Sequence, residues 1–399
     1  MRRILILLFA LALPVLSRGA DAITFWDSPR HGANCFNESP PDAGYFRALR
    51  AYGATWVRLT FSKWESSTGQ RDFLFGNLDD YRALVPEDLR VLRRVLDHAL
   101  AAGLKVVLTP LELPGARWRQ LNGGKFDDRL WSDRRFWDQS AAFWRDLATA
   151  LSDHPAIAAY NLVNEPTPEH RGGIDEHSSP EAMIRWYEQS RGGTRDLLAL
   201  YGQIIAGIRE ADRRTPIMLD AGFYAAADGF NYWPAPLADS RLLYAYHMYE
   251  PWAATSSPNM KREKPYRYPG VAPFGASMVS WDAVRVATYL QQPVEWAKRH
   301  GVPMSRMVAA EFGCVRTWPD CPRYLEDVLT TLDEHGVHWA FYSFRESWDG
   351  MDYELGAKKL PWQYWQAIEQ GKSYELKRGP NPVFDPISRR LARGAAPAR

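Results

Sequence analysis

Residues 160–166 read Tyr-Asn-Leu-Val-Asn-Glu-Pro (YNLVNEP). The largely apolar run 157–163 that leads into them is broken by an amide, a carboxylate and a proline. A run of this length with such a stop has the pattern of a buried strand ending at a loop. Pro166 has no N–H to give a ladder, and it pushes the residue before it, Glu165, out of helical geometry. Asn164 and Glu165 are therefore expected where a strand opens onto a surface. A strand-end carboxylate alone is more often a capping or ion-pairing group, so its meaning depends on whether the chain supplies a partner.

Outward from this strand the chain alternates. Strand-like runs are expected at 24–26 with 31–37, and at 55–61, 104–110, 157–163, 216–220, 242–246, 307–311 and 338–344. Helical spacing is read between them, most clearly over 86–102. There Pro86 opens the helix, Leu89, Leu92, Val95, Leu96 and Leu100 form one stripe, and Gly103 ends it. Further helices are expected at 133–151, 194–212, 281–300 (kinked or split at Pro293), 322–335 and 361–370, the last closing the fold. The short gaps follow helices, and the long irregular loops, such as 167–193 and 250–280, follow strands. That is the α/β pattern of a single-domain (β/α)8 TIM barrel with long βα loops, spanning 23–377, in which the loops after the strands carry the active site. The Pro/Arg/Ala-rich stretch 378–399 reads as a flexible tail.

The charge balance, 49 Lys and Arg against 47 Asp and Glu for a net +2 over 399 residues, excludes a polyanion binder, and no basic stripe for nucleic acid is visible. Aromatics are abundant, with 17 Trp, 19 Tyr and 17 Phe, many in segments that read as loops. Flat rings there suit pyranose faces. Trp118, Trp131, Trp233 and Trp252 are loop candidates for distal sugar sites.

At the N-terminus, Arg2 and Arg3 precede an apolar run 4–16, and Ala20-Asp21-Ala22 offers a small-x-small cleavage site. Residues 1–22 are thus expected to be a signal peptide, and the protein secreted or periplasmic. No other stretch approaches the ~20 apolar residues of a membrane span. The three cysteines are too few for a disulfide scaffold and lack zinc-ribbon spacing. Cys314 and Cys321 flank a short loop suited to a local disulfide in an oxidising compartment, which leaves Cys35 free and buried. There is no phosphate-cradling loop, dinucleotide fingerprint or His-x-x-x-His pair, so no cofactor and no metal are expected.

The barrel supplies the partner that Glu165 needs. Glu311 ends the seventh strand after an apolar run, as Glu165 ends the fourth, and both point into one mouth. Apolar surroundings of this kind raise a carboxyl pKa. On Arg58 in the second strand, Asn164-Glu165-Pro166, His247-x-Tyr249 after the sixth strand, Glu311 and Trp348 after the eighth, the chain resembles glycoside hydrolase family 5 over 23–370. These are the cellulase-type retaining enzymes with catalytic carboxylates on strands four and seven. One departure is the sequence Thr109-Pro110-Leu111-Glu112, where many members carry a His near the end of the third strand.

The resemblance implies a monomeric enzyme that cleaves β-glycosidic bonds in a poly- or oligosaccharide by double displacement, endo-acting in the manner of a cellulase. Glu165 is then the acid/base and Glu311 the nucleophile. Arg58 keeps Glu311 ionised, Asn164 holds the sugar 2-hydroxyl, Tyr249 hydrogen-bonds Glu311, His247 borders the leaving group and Trp348 stacks on the sugar. Exo-acting β-glycosidase or transglycosylase action on an exopolysaccharide is the alternative within the class, and a non-catalytic polysaccharide-binding barrel the alternative outside it. Asp349, Asp352 and Glu354 form an acidic cluster suited to a cation or an amino sugar, or simply to a solvated loop.

Overall fold

The computed structural model describes residues 22–394; apart from Ala22, the expected signal peptide lies outside them. Eight strands hydrogen-bond in parallel in a closed ring: β1 (His31–Cys35), β2 (Trp56–Leu59), β3 (Lys105–Leu108), β4 (Ile157–Asn161), β5 (Ile217–Asp220), β6 (Leu242–Met248), β7 (Met307–Phe312) and β8 (His338–Phe341). Each pairs with the next in sequence, and β8 pairs with β1. Crossovers are made by α1 (Ala43–Ala51), α2 (Pro86–Ala101), α3 (Arg135–Leu151), α5 (Leu197–Ala211), α6 (Ala283–Arg299) and α7 (Cys321–His335). An additional helix, α4 (Pro180–Ser190), lies within the loop after β4. This is the expected (β/α)8 barrel.

Apolar side chains fall into two cores. Val107, Ala158, Ala159, Met218, Leu243, Ala245, Val308, Ala310 and Ala340 fill the barrel interior with Trp26 and Trp56, and the larger core lies between strands and helices. Residues 24–26 do not form the strand expected there. Ala22–Trp26 is a 3-10 turn that places Trp26 across the barrel's lower end, donating its indole N–H to the Ala158 carbonyl (3.1 Å).

Two bulges set which side chains reach the mouth. Against β3, the register of β4 passes over Ala158; against β6, that of β7 passes over Ala310. Ala158 and Ala159 both face the interior in consequence, which turns Tyr160 outward and Asn161 inward. Beyond Ala310, Glu311 likewise turns inward toward Arg58. Without the extra residue, strict alternation sends both to the helix side.

Three expectations are corrected in the second half of the chain. Residues 250–280 are not wholly irregular: Gly270–Phe274 and Ser277–Trp281 pair as an antiparallel hairpin. Helix α6 is not split at Pro293 but continues through it. The expected closing helix, α8 (Trp362–Glu369), buries none of its residues, with Trp362 and Trp365 more than half exposed. The eighth covering position is taken by α9 (Asp385–Gly394), within the segment read as a flexible tail. Composition hid it, because the buried residues there are few but well spaced: Val383, Phe384, Ile387 and Leu391. Arg390 adds ion pairs to Glu326 (2.9 Å) and Asp333 (2.8 Å) on α7. Gly53, at φ 102°, lets α9 approach; a Cβ there meets the Leu391 carbonyl oxygen at 2.4 Å. Each of the four apolar side chains is worth about 1.5–3 kcal/mol on burial, against a total stability of about 5–15 kcal/mol. A chain stopped at residue 378 is therefore expected to lose most of its soluble folded yield. An unchanged thermal unfolding midpoint in that truncation would show α9 to be dispensable.

Cys314 and Cys321 are bonded as expected, and Cys35 is free and buried, its thiol pushed up to about 12 by desolvation. No helix among the described residues is long and apolar enough to cross a membrane.

Candidate active site

At the mouth of the barrel, Arg58 is the centre of a fully buried polar network. Its Nη1 donates to Glu311 Oε1 at 2.5 Å and to Asn34 Oδ1 at 3.2 Å. Nε donates to Asn161 Oδ1 at 2.7 Å, and Nη2 to Asn164 Oδ1 at 2.7 Å, with Asp220 Oδ2 and Thr109 Oγ1 at 3.4 Å. A guanidinium spreads its donors in a fixed plane, so these contacts hold five strands' residues in register where a lysine could not. The cost of burying the cation is offset by Glu311 and Asp220, both also buried.

Glu165 follows from a backbone choice. It has φ 46°, the left-handed region, which costs a non-glycine residue about 1–2 kcal/mol. The turn brings Asn164 and Glu165, adjacent in sequence, both into the mouth, and the Glu165 N–H is held by Asp220 Oδ2 (3.1 Å). The Glu165 carboxyl shares a hydrogen bond with His247 Nδ1 (2.9 Å). Burial pushes its pKa up to about 8, with Arg58 opposing the rise and Asp220 reinforcing it. Burial lowers the pKa of His247, while the carboxyls of Glu311 and Asp220 oppose the fall.

Glu311 is pushed up by burial as well, but His247, Arg58 and the Tyr249 hydroxyl, which donates to Oε2 at 2.8 Å, all oppose the rise. Arg58 contacts Glu311 directly and touches no oxygen of Glu165. One oxygen from each of the two carboxyls, together with a His247 nitrogen, lies within 4.8 Å of the others. Such a trio has the donor set for a cation, but the positive charge of Arg58 already sits on Glu311 at hydrogen-bond distance. The site sets two carboxyls side by side at the barrel mouth, with Arg58 bonded to Glu311 alone of the two.

The model of the cellulase family, glycosyl hydrolase family 5, matches residues 21–347. The chain belongs to glycosyl hydrolase family 5. That family is one of O-glycosyl hydrolases. A β-xylosidase of Phanerodontia chrysosporium is 28% identical over 222 residues; the match takes in 54% of this chain and 38% of the relative. Solved structures of similar fold include an endoglucanase (TM-score 0.61, 17% identity, covering 92% of this chain and 99% of that one). Cel5A of Thermotoga maritima with cellobiose has a TM-score of 0.61 at 16% identity over 94% of this chain and 99% of that one. Cel5A of Pseudomonas stutzeri with cellobiose has a TM-score of 0.59 at 17% identity over 92% and 94%.

In this family 5 chain, the structure brings Arg58, Asn164, Glu165, His247, Tyr249 and Glu311 into direct contact, and Trp348 lines the same cleft, 43% exposed. The cleft has two lobes that meet at Asn164 and Glu165. The larger, about 790 Å³, runs from Phe36, Lys63 and Trp348 past the carboxyls to Trp252 and Phe274. The smaller, about 460 Å³, is lined by Glu112, Trp118, Phe126 and Trp131. Trp118, Trp131 and Trp252 thus stand where loop aromatics were expected to. Trp233 does not: it is buried against Phe230, Tyr244 and Trp296. Glu112, which marks the departure from the family pattern, is buried in the small lobe and pushed up to about 7, mainly by desolvation.

Each member of the acidic cluster is ion-paired to an arginine. Asp349 pairs with Arg316, Asp352 with Arg378 (2.8 Å) and Glu354 with Arg345 (2.6 Å). Sequence reading missed Asn34, Asn161 and Asp220. Each is a polar residue inside or ending an apolar strand run, and that signal was available for all three.

Proposed function

We propose that the chain is an exported retaining β-glycosidase acting on a β-linked pyranose glycan. The observation that carries this reading is the approach of the Glu165 and Glu311 oxygens to within 4.8 Å. Retaining enzymes hold their carboxyls ~5–5.5 Å apart, whereas inverting ones leave ~6.5–9.5 Å for a water. Glu311, ionised, attacks the anomeric carbon as Glu165 gives its proton to the departing glycosidic oxygen. Water then attacks the same carbon, Glu165 takes the proton from it, and the Glu311 ester is released. Asn164 spends its Oδ1 on Arg58. Its amide N–H remains to donate to the sugar 2-hydroxyl, a bond that strengthens in the transition state. Trp348 and Trp252, the latter 57% exposed, offer flat faces for sugar rings.

The relative named a β-xylosidase and the neighbours named endoglucanases favour a β-1,4-linked xylan or glucan backbone. Retention is expected to appear as β-anomer in the first product seen by proton NMR on xylo- or cello-oligosaccharides. Initial release of the α-anomer sinks the mechanism.

A further inference from the structure

Endo-action needs a cleft open at both ends. In this structure the large lobe runs onto Glu176, His177 and the hairpin tip Pro273, Phe274 and Gly275. These come from the loops after β4 and β6, and His177 ties them together. Its Nδ1 lies 2.8 Å from Asp228 Oδ2, in the loop after β5, and its Nε2 lies 3.3 Å from Glu250 Oε1, after β6. The imidazole stacks on Phe274, with ring centroids 4.0 Å apart. Tyr289 on α6 braces the group by donating to Asp228 Oδ1 (3.1 Å) and meeting Phe274 edge-on. Gly275, at φ 55°, brings the hairpin tip close to His177: a Cβ there lies 3.5 Å from the His177 Cβ. His177 itself sits at φ 60°, a strained conformation held by these contacts.

One cationic side chain between two carboxylates, with an aromatic on its face, fastens three separate loops. The side chains of His177 and Asp228 are nearly buried, and that of Glu250 mostly so, which makes the ion pairs strong rather than screened. Burial opposes the charge on His177, but the two carboxylates hold its pKa up at about 10, so the fastening persists across the pH range in which a glycosidase works.

We infer that His177 is a positioning residue that fastens the loops after β4, β5 and β6 into a wall across one end of the cleft, so that the enzyme takes glycan ends rather than chain interiors. This rests on the proposed glycosidase reading and replaces the endo-action implied by the family resemblance. The test uses soluble β-1,4-xylan and hydroxyethylcellulose, with xylo- and cello-oligosaccharides of two to six units as short probes. The wild type is expected to release reducing ends while viscosity falls slowly, and to give one short product from the start. His177→Ala, and separately replacement of 271–280 by a Gly-Gly turn, are expected to raise the viscosity lost per new reducing end several-fold. General loss of folded enzyme lowers both readings together and leaves that ratio where it was. If His177→Ala folds poorly because Asp228 and Glu250 are left facing one another, Phe274→Ala carries the same expectation without an unpaired charge. Rapid viscosity loss by the wild type, or a ratio unmoved in the folded variants, overturns the wall. Failure to cleave any of these probes, short or long, overturns the substrate reading itself and the wall with it.

Discussion

Glu311→Gln is expected to reduce turnover to near background, a loss on the order of 10⁴–10⁶-fold, as when the nucleophile of another hydrolase is removed. The amide is nearly isosteric, but it cannot form the glycosyl ester, and it no longer offers Arg58 a carboxylate at 2.5 Å. The fold should persist, because Arg58 keeps Asp220, Asn34, Asn161 and Asn164. Two measurements separate chemistry from collapse. A 2-fluoro glycoside with an activated leaving group should add its mass to the wild-type peptide carrying Glu311 and add nothing to the variant. The far-ultraviolet circular dichroism of the two proteins should match. An adduct on another residue, or near-normal turnover by Glu311→Gln, sinks the assignment; a wild type that takes no adduct and turns nothing over favours the non-catalytic barrel.

Glu165→Gln should cost about 10²–10⁴ in kcat on unactivated glycosides, the usual contribution of a positioned acid. The loss should be much smaller on aryl glycosides whose leaving group needs no proton. The pH profile carries a sharper version. Glu165 acts while protonated, so kcat/KM of the wild type should fall as pH rises through about 8. That alkaline limb should vanish in the variant when it is followed on an aryl glycoside. Stability should move the opposite way. A carboxyl whose folded pKa lies above its unfolded value favours the fold below the unfolded value, and that advantage is lost as pH rises through the folded one. Glu165→Gln should therefore melt above wild type at pH 8 and close to it at pH 4. A variant less stable than wild type at pH 8 would mean that Glu165 supports the fold rather than straining it.

Much of this was legible along the chain. Alternating apolar runs, and loops that lengthen only after strands, point to the barrel because parallel strands need a helix between them. Glu165 could be found because Pro166 stops its strand, and Glu311 because the seventh run ends on it. The tail misled because composition averages over residues: four buried side chains among many polar and small ones suffice to dock α9, and no average reports their spacing. The acidic cluster misled for a related reason. Its arginine partners lie at residues 316, 345 and 378, some of them far along the chain.

YNLVNEP by itself determined that a strand ends near Asn164 and that a carboxylate stands at its exit, because an apolar run and a proline act locally. Facing was a matter for the tertiary structure. By alternation alone Asn161 and Glu311 point at the helices; the bulges at Ala158 and Ala310, visible only against the neighbouring strands, turn them inward to Arg58. The left-handed turn at Glu165 is likewise held by Asp220 from the next strand. Residue identity decides what chemistry a strand end can offer. Register against its neighbours decides where that chemistry points, and register is a property of pairs of strands that no single stretch contains.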